Sequence, residues 1–337
     1  MRRRSYLLQL FLFALVLMVL VLCALCLGRY GQSPLDTLKI LFSRILPIER
    51  TWDDSVERVV FLVRLPRIGA AILVGAALAI SGITYQGIFK NPLVSPDLLG
   101  VSSGASVGAA LAILSGLSAG LIQAGALVGG LTAVLLTVTI PKLMRNSSTL
   151  MLVLAGIIVQ GFMSAVMGLL KYVADPESQL AEITYWQMGR ISNTSSQDIA
   201  AVLPAMAVAA ALLLALRWRI NILSLGDAEA ESLGVNLRVI RGMAVVCSTV
   251  LTACAVCISG VVSWIGLIIP HMCRMVVGPD NTKTMPVSLL AGASFLLTVD
   301  TLARTLSSTE IPLSMITGFI GAPLYAWLLF HQRVKVK

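Results

Sequence analysis

Long apolar runs, each close to the length of a membrane span, follow one another along this 337-residue chain. A helix of about 20 apolar residues crosses a hydrocarbon core about 30 Å thick. Hydrophobic residues make up 57% of the chain and charged residues 12%, with a mean hydropathy of +0.91, which excludes a water-soluble domain. The sequence therefore predicts an all-α polytopic membrane protein with about ten transmembrane helices, at 7–27, 60–82, 98–118, 120–140, 150–170, 200–219, 242–260, 262–277, 286–307 and 312–330.

The placement of basic residues predicts the orientation of these spans. With ten spans and an inner N-terminus, most of the 25 Lys and Arg residues fall in segments on the cytoplasmic side. The segment 29–67 is the exception, and we discount it because long segments translocate largely regardless of charge. Both termini are thus expected in the cytoplasm. The first apolar run is too long for a secretory signal core and lacks a clean cleavage site, so we expect it to remain as a span.

Several classes of chemistry are missing from the sequence. It contains no GxxxxGK[ST] phosphate loop; the nearest approach, from Gly278 to Thr284, has Thr282 where the second glycine must stand. Neither HExxH nor GxSxG occurs, and the two histidines, His271 and His331, lie in no cluster with carboxylates. We therefore expect no enzymatic activity, no metal and no cofactor on this chain. The six cysteines lie within predicted spans and are expected to pack as small apolar groups.

Charge gives two further expectations. The net charge of +9 is spread over the inner loops, which favours anionic membrane lipid as a partner and gives no support for nucleic-acid binding. Within the spans, only Asp300 and Arg304 are well embedded. Their i,i+4 spacing predicts a local ion pair near the outer surface. A transporter driven by protons or sodium more often carries several acids at mid-membrane, so this shortage weighs against ion-coupled transport.

Three stretches carry more information than their hydropathy. In 64–106, a helix rich in small residues ends at the Asn91-Pro92-Leu93 turn, because proline disfavours helix in itself and in the preceding residue. In 221–242, a polar insert is predicted to form a short helix from Asp227 to Leu233, bounded by Gly226 and Gly234. The stretch 260–329 contains the strings IGLIIPHMCR, GASFLLTVDTLAR and EIPLSMITGFIGAP.

Together these strings resemble the FecCD family of ABC-transporter permeases, which includes cobalamin and iron–siderophore importers. The resemblance covers residues from about 55 to 330 in order. Overall similarity also suggests the MolB-like branch that handles molybdate or tungstate. One departure is Leu313-Ser314, where relatives usually continue Pro-Val-Gly. The resemblance implies a type II ABC importer permease fold in one transmembrane domain over 1–337, with an ATPase-docking insert at about 221–241.

The same resemblance implies a location and partners. It places the chain in the bacterial inner membrane as a homodimer. The dimer would work with two cytoplasmic ATPase subunits, which hold ATP and Mg²⁺, and with an outer solute-binding protein. The pattern Glu229-Ala230 followed by Gly234 is similar to the signature by which such permeases dock on their ATPases.

Roles for individual residues follow from the resemblance and not from the pattern alone. The expected ATPase-docking residues are Leu225, Gly226, Asp227, Glu229, Ala230, Glu231 and Gly234. The expected docking residues for the binding protein are Arg64, Arg67 and Arg304, exposed at the outer surface. The expected cytoplasmic gate is formed by Asn91, Leu93, Ser147 and Ser148.

Three questions stay open at this point. A channel or an ion-coupled secondary transporter is the alternative function. Among importer substrates, iron–siderophore, haem, cobalamin and metal oxyanions such as molybdate or tungstate all remain candidates. Asn91 could also act only as a local helix cap.

Overall fold

The computed structural model describes residues 3–28, 33–44, 46–50, 52–145, 148–307 and 309–335, and every regular element in these ranges is helical. The helices are α1 Arg3–Cys26, α2 Pro34–Phe42, α3 Asp54–Arg58, α4 Leu65–Ile88, α5 Val101–Leu114, α6 Ala119–Leu143, α7 Thr149–Val173, α8 Gln179–Gln187, α9 Ser196–Leu223, α10 Asp227–Ser232, α11 Leu237–Ser259, α12 Ile265–Val277, α13 Asn281–Thr305 and α14 Leu313–Lys335. A π-helical turn, Val59–Arg64, joins α3 to α4, and a 3₁₀ turn, Pro96–Leu99, precedes α5.

The ten predicted spans correspond to ten apolar helices in the described part of the chain. Seven helices are long and apolar enough to cross a membrane, and three shorter apolar helices are Val101–Leu114, Ile265–Val277 and Leu313–Leu328. The predicted all-α polytopic architecture is therefore confirmed.

The predicted span 262–277 is wrong at its start. Helix α11 ends at Ser259, and the chain then runs without helix to Trp264 before α12 begins at Ile265. Gly260 has φ +66° and Trp264 has φ +74°, and a residue with positive φ does not continue a right-handed helix. Because α12 has only 13 residues, it covers about 20 Å and is shorter than the membrane core.

Helix α4 lies at the centre of the bundle. It packs against α9, α11, α12 and α13, and most of its residues are buried. Two glycines on α4 permit these contacts, because a Cβ at Gly75 would overlap the Gly292 carbonyl and a Cβ at Gly82 would overlap that of Gly266. Close packing of small residues replaces the hydrophobic effect between helices in lipid, as the Gly/Ala-rich stretch predicted.

The polar insert is shorter than the predicted 221–241. Helix α9 continues to Leu223 and α11 begins at Leu237, so the insert comprises residues 224–236. The Asn236 side chain caps α11 by accepting a hydrogen bond from the Val239 N–H at 3.2 Å. We call the end of the bundle that carries α10 the inner end, since the charge pattern predicts it to face the cytoplasm. The end at which α1 and α13 finish is the outer end.

Candidate functional site

The insert folds as a short helix with a defined stop. The Val235 N–H donates to the Ala230 carbonyl at 3.0 Å and the Gly234 N–H to that of Glu231 at 2.9 Å. Gly234 has φ +76°, so these bonds form a Schellman motif that closes α10. The predicted short helix is confirmed, with its end at Ser232. The Schellman bonds give the insert a fixed shape, which a contact surface requires.

One side of the insert is exposed and combines apolar with acidic groups. Leu225 is 65% exposed and Leu233 is 58% exposed, and Glu229 and Glu231 also face outward. Ala230, in contrast, is fully buried against the bundle. Exposed leucines beside carboxylates suit a protein partner with an apolar pocket and a basic rim. Of the residues expected to dock an ATPase, the exposed ones are Leu225, Glu229, Glu231 and Gly234.

Asp227 ties the insert to two other parts of the inner end. Its Oδ1 accepts hydrogen bonds from Lys90 Nζ at 2.7 Å and from Arg241 Nη2 at 2.6 Å. Lys90 follows α4, whereas Arg241 lies in the first turns of α11. The carboxylate of Asp227 is thus engaged within the chain, so we treat this residue as a link between elements.

The Asp227 carboxyl is ionised at neutral pH. Hydrogen bonds from Lys90 and Arg241 lower the pKa of the Asp227 carboxyl from its ordinary value. A group with a lowered pKa in the folded state contributes stability above its ordinary pKa and loses it as the pH falls through the lowered value. The link is therefore intact at pH 7. All three side chains are partly exposed, so the link fixes geometry and contributes little to stability.

The turn after α4 is also stabilised by a hydrogen bond between its own residues. Lys90 has φ +51°, and the Asn91 side chain accepts a hydrogen bond from the Leu93 N–H at 2.9 Å, which forms an Asx turn. The Asn91 side chain therefore closes this turn locally. Leu93 is 55% exposed at the tip of this turn. The gate function of Asn91 and Leu93 stays a prediction.

The buried side-chain amide of Gln86 connects the same turn to α12 through hydrogen bonds. The side-chain amide of Gln86 donates to the carbonyls of Val94 at 3.2 Å and of Gly266 at 3.2 Å, and its Oε1 accepts from Arg274. Gln86 is 4% exposed, so the satisfaction of its polar atoms matters for stability. The turn is thus held by Gln86 on one side and by the Lys90–Asp227 link on the other.

Of the two serines predicted to complete the gate, the structure describes Ser148. Ser148 caps α7, where its hydroxyl accepts a hydrogen bond from the Met151 N–H at 3.2 Å. Ser147 lies outside the described residues. A contact of this segment with Leu93 remains a prediction.

At the outer end, the expected binding-protein residues are buried within the chain. Arg67 binds Asp300 with Nε–Oδ1 at 2.9 Å and Glu310 with Nη1–Oε1 at 2.7 Å. Relative exposure is 3% for Arg64, 6% for Arg67 and 8% for Arg304. The expectation that these arginines lie exposed is wrong, because each meets an acceptor inside the bundle. Their role in docking stays a prediction. A charge reversal at Arg67 would disturb the fold before it tested docking.

The Asp300–Arg304 pair expected from their i,i+4 spacing is also wrong. Asp300 pairs with Arg67 across helices, and Arg304 donates to the Ala24 carbonyl. Arg64 donates in the same way to the Leu25 carbonyl. Carbonyls in the last turn of a helix have no partner within that helix, and its dipole favours cations there. Arg64 and Arg304 therefore anchor the end of α1.

The sequence reasoning missed four residues that complete these arrangements: Lys90, Arg241, Glu310 and Gln86. Lys90, Glu310 and Gln86 each meet a partner far along the chain, as Lys90 meets Asp227 137 residues away. Arg241, in contrast, lies only 14 residues from Asp227. All four lie within the three stretches singled out in the sequence, and this position was the one available signal.

Replacement of Asp300 by Asn tests the Arg67 cluster, which consists of Arg67, Asp300 and Glu310. Asp300→Asn removes the charge that compensates Arg67 in a site of 1% exposure, and breaking a buried pair costs about 3–5 kcal/mol. We expect a clear fall in the melting temperature of the purified chain in detergent. Asp54→Asn, in the exposed Arg50 pair, should change it little because exposed pairs contribute about 0–1 kcal/mol. Equal melting temperatures for the two variants would contradict a stabilising cluster.

Comparisons with known proteins agree with this architecture. The chain is 39% identical over 333 residues to the molybdate import system permease protein MolB of Haemophilus influenzae, covering 99% of this chain and 98% of the relative. It is 41% identical over 280 residues to an iron chelatin transport system permease protein of Helicobacter pylori, covering 83% and 85%. A solved structure described as an inward-facing conformation of a metal-chelate type ABC transporter matches with a TM-score of 0.86 and 38% identity, covering 96% and 98%.

The family comparison extends over nearly the whole chain. The model of the FecCD transport family matches residues 16–331, a range that includes the insert, the turn after α4 and the buried arginine cluster. Ten apolar helices, a folded polar insert and full-length relatives point to the same class of membrane protein. The chain is a member of the FecCD transport family of ABC-transporter permeases.

Proposed function

We propose that this chain is the membrane-spanning permease subunit of a binding-protein-dependent ABC importer, with ATP hydrolysed on partner subunits. The observation that carries the proposal is the insert: a helix with a Schellman stop, an exposed acidic and apolar side, and an ion link to the turn after α4. A subunit of this kind receives mechanical work through a contact surface. The Lys90–Asp227–Arg241 link provides a physical route from that surface to the turn.

One ATPase subunit is proposed to bind at the insert of each of the two permease copies. Leu225 and Leu233 would enter an apolar pocket, and Glu229 and Glu231 would meet basic groups at its rim. Exposed charges of this kind steer association and fix register more than they add affinity. Because the Asp227 ion pair links α10 to Lys90, a displacement of α10 would also move Lys90 and, with it, Leu93.

A second copy of the chain is proposed to pack along α7. An exposed stripe of small residues runs down this helix at i, i+3, i+4 and i+7 spacing: Gly161, Ser164, Ala165 and Gly168. Such stripes allow close helix approach in lipid, where shape drives association. A Cβ at Gly161 or Gly168 would meet nothing within 4 Å in the single chain, so space for a partner helix is present. The two copies would enclose the translocation path.

The proposed cargo is a metal oxyanion or a metal chelate. A metal oxyanion such as molybdate or tungstate is favoured by the relative that aligns over 99% of this chain, and an iron chelate is the second candidate because of the relative that aligns over 83%. Haem and cobalamin permeases are more distant, at 34% and 37% identity. The proposed binding protein delivers the cargo at the outer end, around the Arg67 cluster.

Uptake into vesicles tests the function. The permease is reconstituted with its ATPase and binding protein, and the uptake of molybdate, tungstate, a ferric siderophore, haemin and cobalamin is measured with ATP present or depleted at clamped membrane potential. We expect uptake of one class only, and only with ATP. Uptake that persists without ATP would instead support a channel or an ion-coupled transporter.

Variants of the insert test its docking role in the same vesicles. Gly234→Val forces a β-branched residue into φ +76° and should distort the end of α10. The pair Glu229→Lys and Glu231→Lys reverses the exposed charge. We expect normal membrane insertion, but reduced co-purification of the ATPase or hydrolysis that no longer drives uptake. Normal assembly and coupling in both variants would exclude the insert as the docking element.

Removal of the ion link tests its role in coupling. We expect Asp227→Asn and Lys90→Gln each to leave the ATPase bound and active while uptake per ATP hydrolysed falls several-fold. Because both changes break the same link, uptake per ATP hydrolysed should be no lower in the double variant than in the single variants. Asp36→Asn, which breaks a similarly exposed pair with Lys39 on α2, is the control and should couple normally. Additive losses would indicate two unrelated effects.

A further inference from the structure

A crevice of about 1920 Å³ lies between α6 and α11 at the inner end, beside the start of α7. Its walls are apolar: Leu131, Val134, Leu135 and Val138 come from α6, and Val245, Val246 and Val250 from α11. Leu135 is 68% exposed and Val246 is 62% exposed, so the crevice opens to the side of the bundle. A Cβ at Gly242, which also lines it, would meet nothing within 4 Å.

The mouth of this crevice is basic, whereas its depth is apolar. Four cations and two carboxylates, Asp227 and Glu231, line the inner rim. Asp227 is already balanced by Lys90 and Arg241. The rim therefore keeps an excess of positive charge at the level where α6 and α7 leave the membrane. The four cations are Lys142, Arg145, Arg238 and Arg241.

The dimensions of the crevice match one leaflet of a bilayer. From Leu131 to Lys142 the α6 wall rises about 16 Å at about 1.5 Å per residue. A hydrocarbon core of about 30 Å has leaflets of about half that depth. Apolar walls of one leaflet in length, below a basic rim, are complementary to acyl chains attached to an anionic head group.

We propose that this crevice binds an anionic phospholipid of the inner leaflet. Lys142 and Arg238 contact the head group, while the acyl chains lie between α6 and α11. Free phosphate would use the rim but would leave the apolar walls uncovered. The proposal does not depend on the transport function, since it concerns only this chain in a membrane.

Native mass spectrometry of the purified permease tests the proposal. The protein is titrated with dioleoyl phosphatidylglycerol and, separately, with dioleoyl phosphatidylcholine. The crevice variant is Lys142→Gln with Arg238→Gln. The matched control is Arg217→Gln with Arg219→Gln, which removes the same charge from the exposed inner end of α9. We expect at least a fivefold loss of bound phosphatidylglycerol in the crevice variant, less than a twofold change in the control, and no change with phosphatidylcholine.

A third variant, Gly242→Leu, narrows the crevice without removing charge, and its Cβ would meet no atom within 4 Å. It should also lose phosphatidylglycerol, and its unchanged melting temperature would show that the fold is intact. Equal lipid retention in all variants would overturn the proposal, as would displacement of the lipid by inorganic phosphate alone. A Gly242→Leu protein that dissociates from dimer to monomer and keeps its lipid would also overturn it, because a second copy would then occupy the crevice.

Discussion

The close packing of α4 against its neighbours is the constraint on which the rest of the structure depends. In lipid, backbone polar groups must be satisfied within the protein and helices associate mainly through shape. Gly75 and Gly82 let α4 touch the backbones of α13 and α12, so this helix is enclosed along most of its length. The side chains at its two ends therefore have fixed partners: Arg67 contacts Asp300 at the outer end, and Gln86 contacts Val94 and Gly266 at the inner end.

The inner end then becomes one connected unit. Gln86 holds the turn after α4 from within the bundle, and Lys90 holds it through Asp227 from the insert. These contacts are hydrogen bonds and partly exposed ion pairs, and their main effect is to fix relative position. A partner that moves the insert would therefore move the turn with it. The proposed permease mechanism uses this connection and requires no chemistry on the chain itself.

The sequence predicted the features that depend on local pattern. Apolar runs located the ten helices, the Asn91-Pro92 pair located the end of α4, and Gly226 and Gly234 bounded the insert helix, because each of these signals lies within one element. It failed where the outcome depends on contacts between distant elements. The pattern around Arg64 and Arg67 cannot tell whether a charge at a helix end faces solvent or another helix. Arg67 and Asp300 are 233 residues apart, and no local rule joins them. The start of α12 was missed because the backbone at Trp264 leaves the helical region without a proline or glycine at that position.

Movement of the insert with the turn is the central claim, and electron paramagnetic resonance distances test it directly. Spin labels are placed at Leu93 and Leu225 in a permease without reactive native cysteines, assembled with its ATPase and measured without nucleotide and with bound ATP. The distance from position 93 to position 225 within one copy should stay constant, while the distance between the two labels at position 93 in the dimer should change. A within-copy distance that changes while the distance across the dimer stays fixed would contradict the account.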